Sequence, residues 1–279
     1  MWDGREPTLE SQANDATHIH AQATADLTSD QQEQAVIFEN GIFTSQISDE
    51  EVCDLGDCGG TGGPVALARQ FFKFFVGIND PFGNNPTEAP FDPNVFTLYK
   101  PWLRRQVGSE ETRQRGSVAR GEKVFNRTRI NITGVAGLND ELHRPTIPGF
   151  CGTCHDTPNV GNHSVKAPLN IGVADAGAKT PPVLDTSELP VFTLHCTQGP
   201  LAGKMFVVTD PGRALISGNC ADIGKVKGPI LRGLAARAPY FHNGSAATLL
   251  DVVNFYDQRF GIGFTRQQKD DLVNFLGTL

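Results

Sequence analysis

Apolar positions recur at helical spacing in only part of the chain. Leu9, Ala13, Ala16 and Ala23 share one face and predict a helix over residues 8–25. Thr28 and Gln31 form a T-x-x-Q capping box, and Val36, Ile37 and Phe43 follow at helical offsets. Residues 50–63 are acidic and glycine-rich and read as a loop. Phe71, Phe72, Phe74, Phe75 and Val76 make a helix face fit for a core. Prolines from Pro81 to Pro101 then forbid a helix and predict an ordered connector.

A second unit starts near Ser109. Residues 110–126 read as a helix, with Gly121 and Phe125 one turn apart on one face. The last segment, 265–276, opens with the capping pair Thr265 and Gln268 and carries Leu272, Phe275 and Leu276 on one side. A short helix over 247–256 is capped by Thr248 with Asp251. Residues 127–230 are loop-rich. The pattern predicts an all-α architecture with long loops, in two parts, 1–108 and 109–279.

Composition agrees. The 279 residues include 30 glycines and 18 prolines, 39% are hydrophobic and 20% charged, as expected of a globular chain with long shaped loops. There is no apolar run long enough to span a membrane. A net charge of -7 argues against nucleic acid as a partner.

The cysteines carry the chemistry. Cys151-Gly-Thr-Cys154-His155 is a C-x-x-C-H sequence, the attachment signature of a c-type haem. Two thiols at that spacing add across the two vinyl groups of one porphyrin edge, and the adjacent imidazole is held beneath the iron. Zinc is the rival, but it needs a second pair, and Cys53 with Cys58 has looser spacing. The remaining four cysteines allow three pairings, of which Cys53–Cys58 and Cys196–Cys220 are the most local. With haem assigned, the helix bearing Gly121 and Phe125 and the last helix match the crossing of first and last helices in small cytochromes.

His155 takes one axial face of the iron, and the other ligand decides potential and access. Of the two methionines, Met205 is the one at a compatible spacing, and Tyr256 competes with it as a phenolate. His242, in the turn Ala238-Pro239-Tyr240-Phe241-His242-Asn243-Gly244, is a candidate hydrogen-bonding partner of the haem edge, and His163 a candidate donor to a propionate.

Lys227-Gly228-Pro229-Ile230-Leu231-Arg232, the turn 238–244, Thr248-Leu249 and Thr209-Asp210-Pro211-Gly212-Arg213 together resemble the C-terminal haem domain of bacterial di-haem cytochrome c peroxidases, including their MauG-like branch. Trp2-Asp3-Gly4-Arg5 resembles a segment of the family's first haem domain, whose tryptophan mediates electron transfer between the haems. The resemblance implies a cytochrome c-like domain over 109–279, and over 1–108 a helical remnant of a second such domain with its connector. It also implies a chain begun at an internal methionine, its export signal and first haem motif lying upstream. By the same resemblance Trp2 bridges the haems. His20 or Gln22 faces the peroxide-binding iron where the peroxidases have glutamate, and Tyr256 stands at the axial position, as in MauG-like proteins. The family binds calcium between its domains, and Arg237 and Pro239 match two of those positions, although the upstream ligand is absent.

The function so implied is a periplasmic c-type haem oxidoreductase that passes electrons through the Cys151/Cys154 haem towards peroxide reduction at an upstream haem. Its implied partners are hydrogen peroxide and a small redox donor such as a cytochrome or cupredoxin, and a homodimer is compatible with it. The alternatives are a mono-haem electron carrier ligated by Met205, and a MauG-like enzyme that oxidises side chains of a partner protein.

Overall fold

The computed structural model describes residues 3–41, 45–70, 77–104, 108–163, 167–175 and 184–279. Trp2, Phe43 and the segment Phe71–Val76, all singled out from sequence, lie outside the described residues. Seven helices are seen among the described residues: α1 Leu9–Ile19, α2 Ser29–Gly41, α3 Pro64–Ala68, α4 Glu110–Arg127, α5 Ala214–Ser217, α6 Leu249–Phe260 and α7 Arg266–Gly277.

The all-α expectation is corrected by three antiparallel two-stranded ladders. They are β1 Ser48–Asp49 with β2 Cys53–Asp54, β3 Ile130–Thr133 with β4 Thr146–Gly149, and β5 Phe192–His195 with β6 Met205–Val208. The second shows why. Ile130 and Ile132 are buried while Asn131 between them is exposed, which is the period-two alternation of a half-buried strand. That signal stands in the sequence, inside a stretch read as loop.

The first helix ends six residues earlier than its periodicity predicts. Gln22 takes a left-handed φ of 55°, and His18 folds onto the turn, its ring meeting the Ala23 carbonyl at 2.9 Å and the Asp26 carboxylate at 2.7 Å. Thr28 and Gln31 cap α2 reciprocally as the sequence indicates. Neither α1 nor α2 buries a residue, and Ile37 is 63% exposed.

The main core lies where α4 crosses α7. A Cβ on Gly121 would stand 1.9 Å from the Asp271 carbonyl oxygen and 2.6 Å from the Phe275 Cβ, so only glycine lets the two backbones approach this closely. Asp271, buried at the crossing, accepts from Ser117 Oγ at 2.6 Å and from Arg120 through two nitrogens at 2.8 Å. Around it Phe96, Phe125 and Phe275 meet edge to face, and Tyr99 stacks on Trp102 with centroids 4.4 Å apart.

Phe96, Tyr99 and Trp102 come from the proline-rich connector, which is therefore part of the core rather than a tether. It also reaches the C-x-x-C-H turn: Asn159 donates its N–H to the Val95 carbonyl at 2.7 Å, and Gly152 leaves no room for a Cβ against Val95. Residues on both sides of position 108 thus share one core.

Buried Glu122 holds that connector, its Oε2 accepting the backbone N–H groups of Leu98 at 2.6 Å and Tyr99 at 2.9 Å. Desolvation pushes its pKa up to about 7, although the two N–H groups pull the other way. The folded state then keeps a proton that the unfolded state releases near the ordinary value of 4.5. Stability contributed by this group is therefore full below pH ~4.5, falls as pH rises to about 7, and is flat above. Glu122→Gln retains an oxygen acceptor and cannot ionise. It should match the parent in urea denaturation at pH 4 and exceed it at pH 8 by up to ~3 kcal/mol. Equal differences at both pH values would mean that the carboxyl titrates alike in the folded and unfolded chain, and a loss larger at pH 8 than at pH 4 would mean that the charged carboxylate is the stabilising form.

Of the two local cysteine pairings, Cys196–Cys220 is present with an S–S distance of 2.12 Å, tying the residue after β5 to the turn Cys220–Asp222. The Cys53–Cys58 pairing is not: both residues are exposed and no disulfide joins them. Both residues have left-handed backbones, and Arg115 Nη1 donates to Cys58 Sγ at 3.2 Å.

Candidate haem site

A largely apolar cavity sits between the C-x-x-C-H turn, the 229–241 segment and the inner face of α6. The turn Cys151–Thr153 follows directly on β4. It is closed by the N–H groups of Cys154 and His155, both donating to the Cys151 carbonyl, and by Thr153 Oγ1 accepting the Phe150 N–H. Both thiols and the imidazole line the cavity.

His155 Nδ1 meets the Gly161 carbonyl at 3.1 Å. With the Nδ1 proton donated there, the Nε2 lone pair is left for a metal. Gly161 has a φ of 70°, and a Cβ there would fall 2.8 Å from Leu231, so this carbonyl can be presented only by glycine. Burial drives the His155 pKa down to about 4, keeping the ring neutral, and pushes both cysteines up to about 12, keeping them as thiols.

Helix α6 faces the cavity with Leu249, Val252, Val253, Tyr256 and Phe260, an i, i+3, i+4, i+7, i+11 stripe. Its start is fixed by Thr248 and Asp251, which cap each other reciprocally. The helix runs four residues past the predicted end, to Phe260. Arg259 there reaches the carbonyls of Ile171 and Thr133, each at 2.9 Å, and anchors the helix to the β3–β4 hairpin. The Tyr256 phenol is raised above its ordinary pKa, chiefly by burial and secondarily by the neighbouring Cys154 and Cys151.

The donor set suits haem c. Two free thiols at the attachment spacing, a neutral imidazole with an open nitrogen and a phenol oxygen converge on a cavity otherwise walled by Ile, Leu, Val, Phe and Pro. Such apolar walls would be poorly stabilised unless an apolar plane filled them.

Other sequence candidates lie elsewhere. Met205 is on the outer face of β6, 63% exposed and cross-strand from His195, because its neighbours Phe206 and Val208 take the inward positions of the strand. Met205 is thus not among the residues that line the cavity, whereas Tyr256 is. His242 turns away from the cavity that Tyr240 and Phe241 line. Its Nε2 lies 3.2 Å from Asp210 Oδ2, holding that carboxyl below the usual range. His163 lies beside Asp156, Nδ1 to Oδ2 3.4 Å, with both side chains buried. His20 and Gln22 are exposed at the end of α1, which packs on α2. Arg237 and Pro239 line the cavity. The residues that sequence reasoning passed over are the walls Ile130, Ile132 and Ile171, and the clamp Arg259.

A family profile described as RoxA-like, cytochrome c-like matches residues 226–261, the segment that forms one wall of this cavity. A cytochrome-c peroxidase IdrP1 of Denitromonas iodatirespirans is 38% identical over 202 residues, covering 67% of this chain and 52% of that protein. The cytochrome-c peroxidase IdrP2 of the same organism is 35% identical over 142 residues, 48% of this chain and 37% of that one. The chain belongs to the di-haem cytochrome c peroxidase and MauG-like family. The cytochrome c551 peroxidase of Nitrosomonas europaea, another relative of this peroxidase family, is 30% identical over 151 residues, 51% of this chain and 36% of that protein. The chain thus spans about half or less of the length of these relatives. A solved structure of a MauG-like protein associated with microbial copper homeostasis is 26% identical over 46% of this chain and 39% of its own, with a TM-score of 0.31. Membership of this peroxidase family implies haem c, and among the described residues no helix is long and apolar enough to cross a membrane.

Proposed function

We propose that this chain contributes the electron-delivering haem domain, residues 109–279, of an exported di-haem oxidoreductase that reduces hydrogen peroxide. Residues 1–108 belong, on this reading, to the peroxide-side domain and its connector. The observation that carries it is the convergence of Cys151, Cys154, His155 and Tyr256 on one apolar cavity in a relative of peroxidases. Bound there, haem c supplies a one-electron carrier whose potential follows its axial ligands.

The chain's own groups have distinct tasks. Cys151 and Cys154 would anchor the vinyl edge. His155, kept neutral by burial and oriented by the Gly161 carbonyl, would hold the iron. Tyr256 keeps its proton while the cavity is apolar and would give it up only to a strongly electropositive centre. A phenolate favours the oxidised carrier, which suits storage of oxidising equivalents. Trp2 would bridge to the second haem, with His20 or Gln22 on its peroxide side. Calcium between the domains and a small cytochrome or cupredoxin as donor follow from the same reading, as does a periplasmic location.

The test is the ferric spectrum of the exported, haem-loaded chain. Tyr256→Phe should shift its Soret and visible bands, whereas Met205→Leu should leave them unchanged. A Tyr256→Phe spectrum identical to the parent's would remove tyrosine from the iron and lower the case for a peroxidase-type carrier. The competing mono-haem carrier predicts the opposite result, with Met205→Leu the variant that alters the spectrum.

A further inference from the structure

The haem cavity is walled by apolar side chains, two thiols, one neutral imidazole and two phenols. Among the described residues that line it, Arg237 alone carries a fixed charge. It is also exposed, whereas His155, Tyr240, Tyr256 and both cysteines are buried or half-buried, so it stands at the mouth of the cavity. Its backbone closes the short turn Leu234–Ala236 by donating its N–H to the Leu234 carbonyl at 3.0 Å. Its guanidinium is held in place by one bond, Nη1 to the Ile230 carbonyl at 3.1 Å, and Ile230 is itself a wall residue. A guanidinium has five N–H donors in a rigid fork matched to a carboxylate, and this bond engages one of them.

Haem carries two propionate carboxylates on the edge opposite the vinyl groups. Once Cys151 and Cys154 fix the vinyl edge inside, the propionate edge must find a polar group or water. Carboxylates placed against an otherwise apolar wall are costly unless paired. We propose that the Arg237 side chain binds a haem propionate and so sets the charge balance of the loaded cavity. The proposal rests on the haem reading above and assigns to this side chain a role separate from any contributed by its backbone carbonyl.

The test uses the full haem-loaded chain and its Arg237→Gln and Arg237→Lys variants, with covalent haem content measured in each. Resonance Raman propionate-bending bands report hydrogen bonding to the propionates directly, and a spectroelectrochemical titration gives the midpoint potential. Arg237→Gln should shift the bending band and lower the potential, since loss of a nearby positive charge favours the ferric state. Arg237→Lys should restore the potential in larger part than the band, because it keeps the charge but not the fork. Band and potential both unchanged in Arg237→Gln, with haem attached, overturn the propionate assignment alone. Absence of covalent haem in the parent overturns the haem reading and this assignment together.

Discussion

Replacing Cys151 and Cys154 together by alanine should abolish covalent haem: a haem-stained denaturing gel of the exported protein should show the band in the parent and none in the variant. Each single substitution leaves one thiol for one vinyl group, so haem should persist on the gel at reduced yield. His155→Ala should retain the covalent band and lose the axial imidazole, which separates attachment from ligation. The loss should extend to stability. The cavity presses on Phe125, Leu231, Val253, Leu272 and Leu276, all members of the main core, so an unfilled cavity removes packing from the crossing itself. The double variant should therefore melt well below the parent by circular dichroism. Zinc binding with the fold intact, and no haem in the parent under conditions that mature c-type haem, would be the contrary result.

The parts of this architecture that local chemistry dictates are legible in the chain. Thr248, Thr265 and Thr28 announce helix starts because each precedes a polar partner by three residues, and all three form those bonds. Gly121 is legible only jointly with the last helix: the glycine shows nothing by itself, but its gap is filled by Asp271 and Phe275 from 150 residues away. The thiols and His155 are fixed by covalent chemistry and so stand out by spacing. What escaped was non-local. Strand β3 has four residues, too few for a periodicity to outvote a glycine-rich setting. The Cys53–Cys58 pairing looked favourable by loop length, yet loop length says nothing about an arginine arriving from α4 to meet one of the thiols. Spacing points to Met205 and the family resemblance to Tyr256, and it is Tyr256, on the inward stripe of α6, that lines the cavity, while Met205 sits on the outward side of β6.

Gly121→Ala should cost about 2–4 kcal/mol, more than a glycine-to-alanine change gives anywhere else in a regular helix, where alanine is favoured by up to ~1 kcal/mol. The new methyl would overlap the Asp271 carbonyl oxygen, which is backbone and cannot swing away. Relief requires α4 and α7 to part, and parting has three consequences. Asp271 loses its bonds to Ser117 and Arg120 while still buried, which exposes the cost of an unpaired internal carboxylate. The Phe125–Phe275 contact, with centroids 6.0 Å apart, loosens. Phe125 is also a wall of the candidate haem cavity, with its ring centroid 6.3 Å from that of His155, so the strain reaches the cavity. Gly277→Ala is the internal comparison, a helical glycine with nothing within 4 Å of an added Cβ, and should be neutral or stabilising. Urea denaturation of the two variants beside the parent decides the matter. A cost below ~1 kcal/mol for Gly121→Ala would mean that the helices do not cross at contact distance in solution.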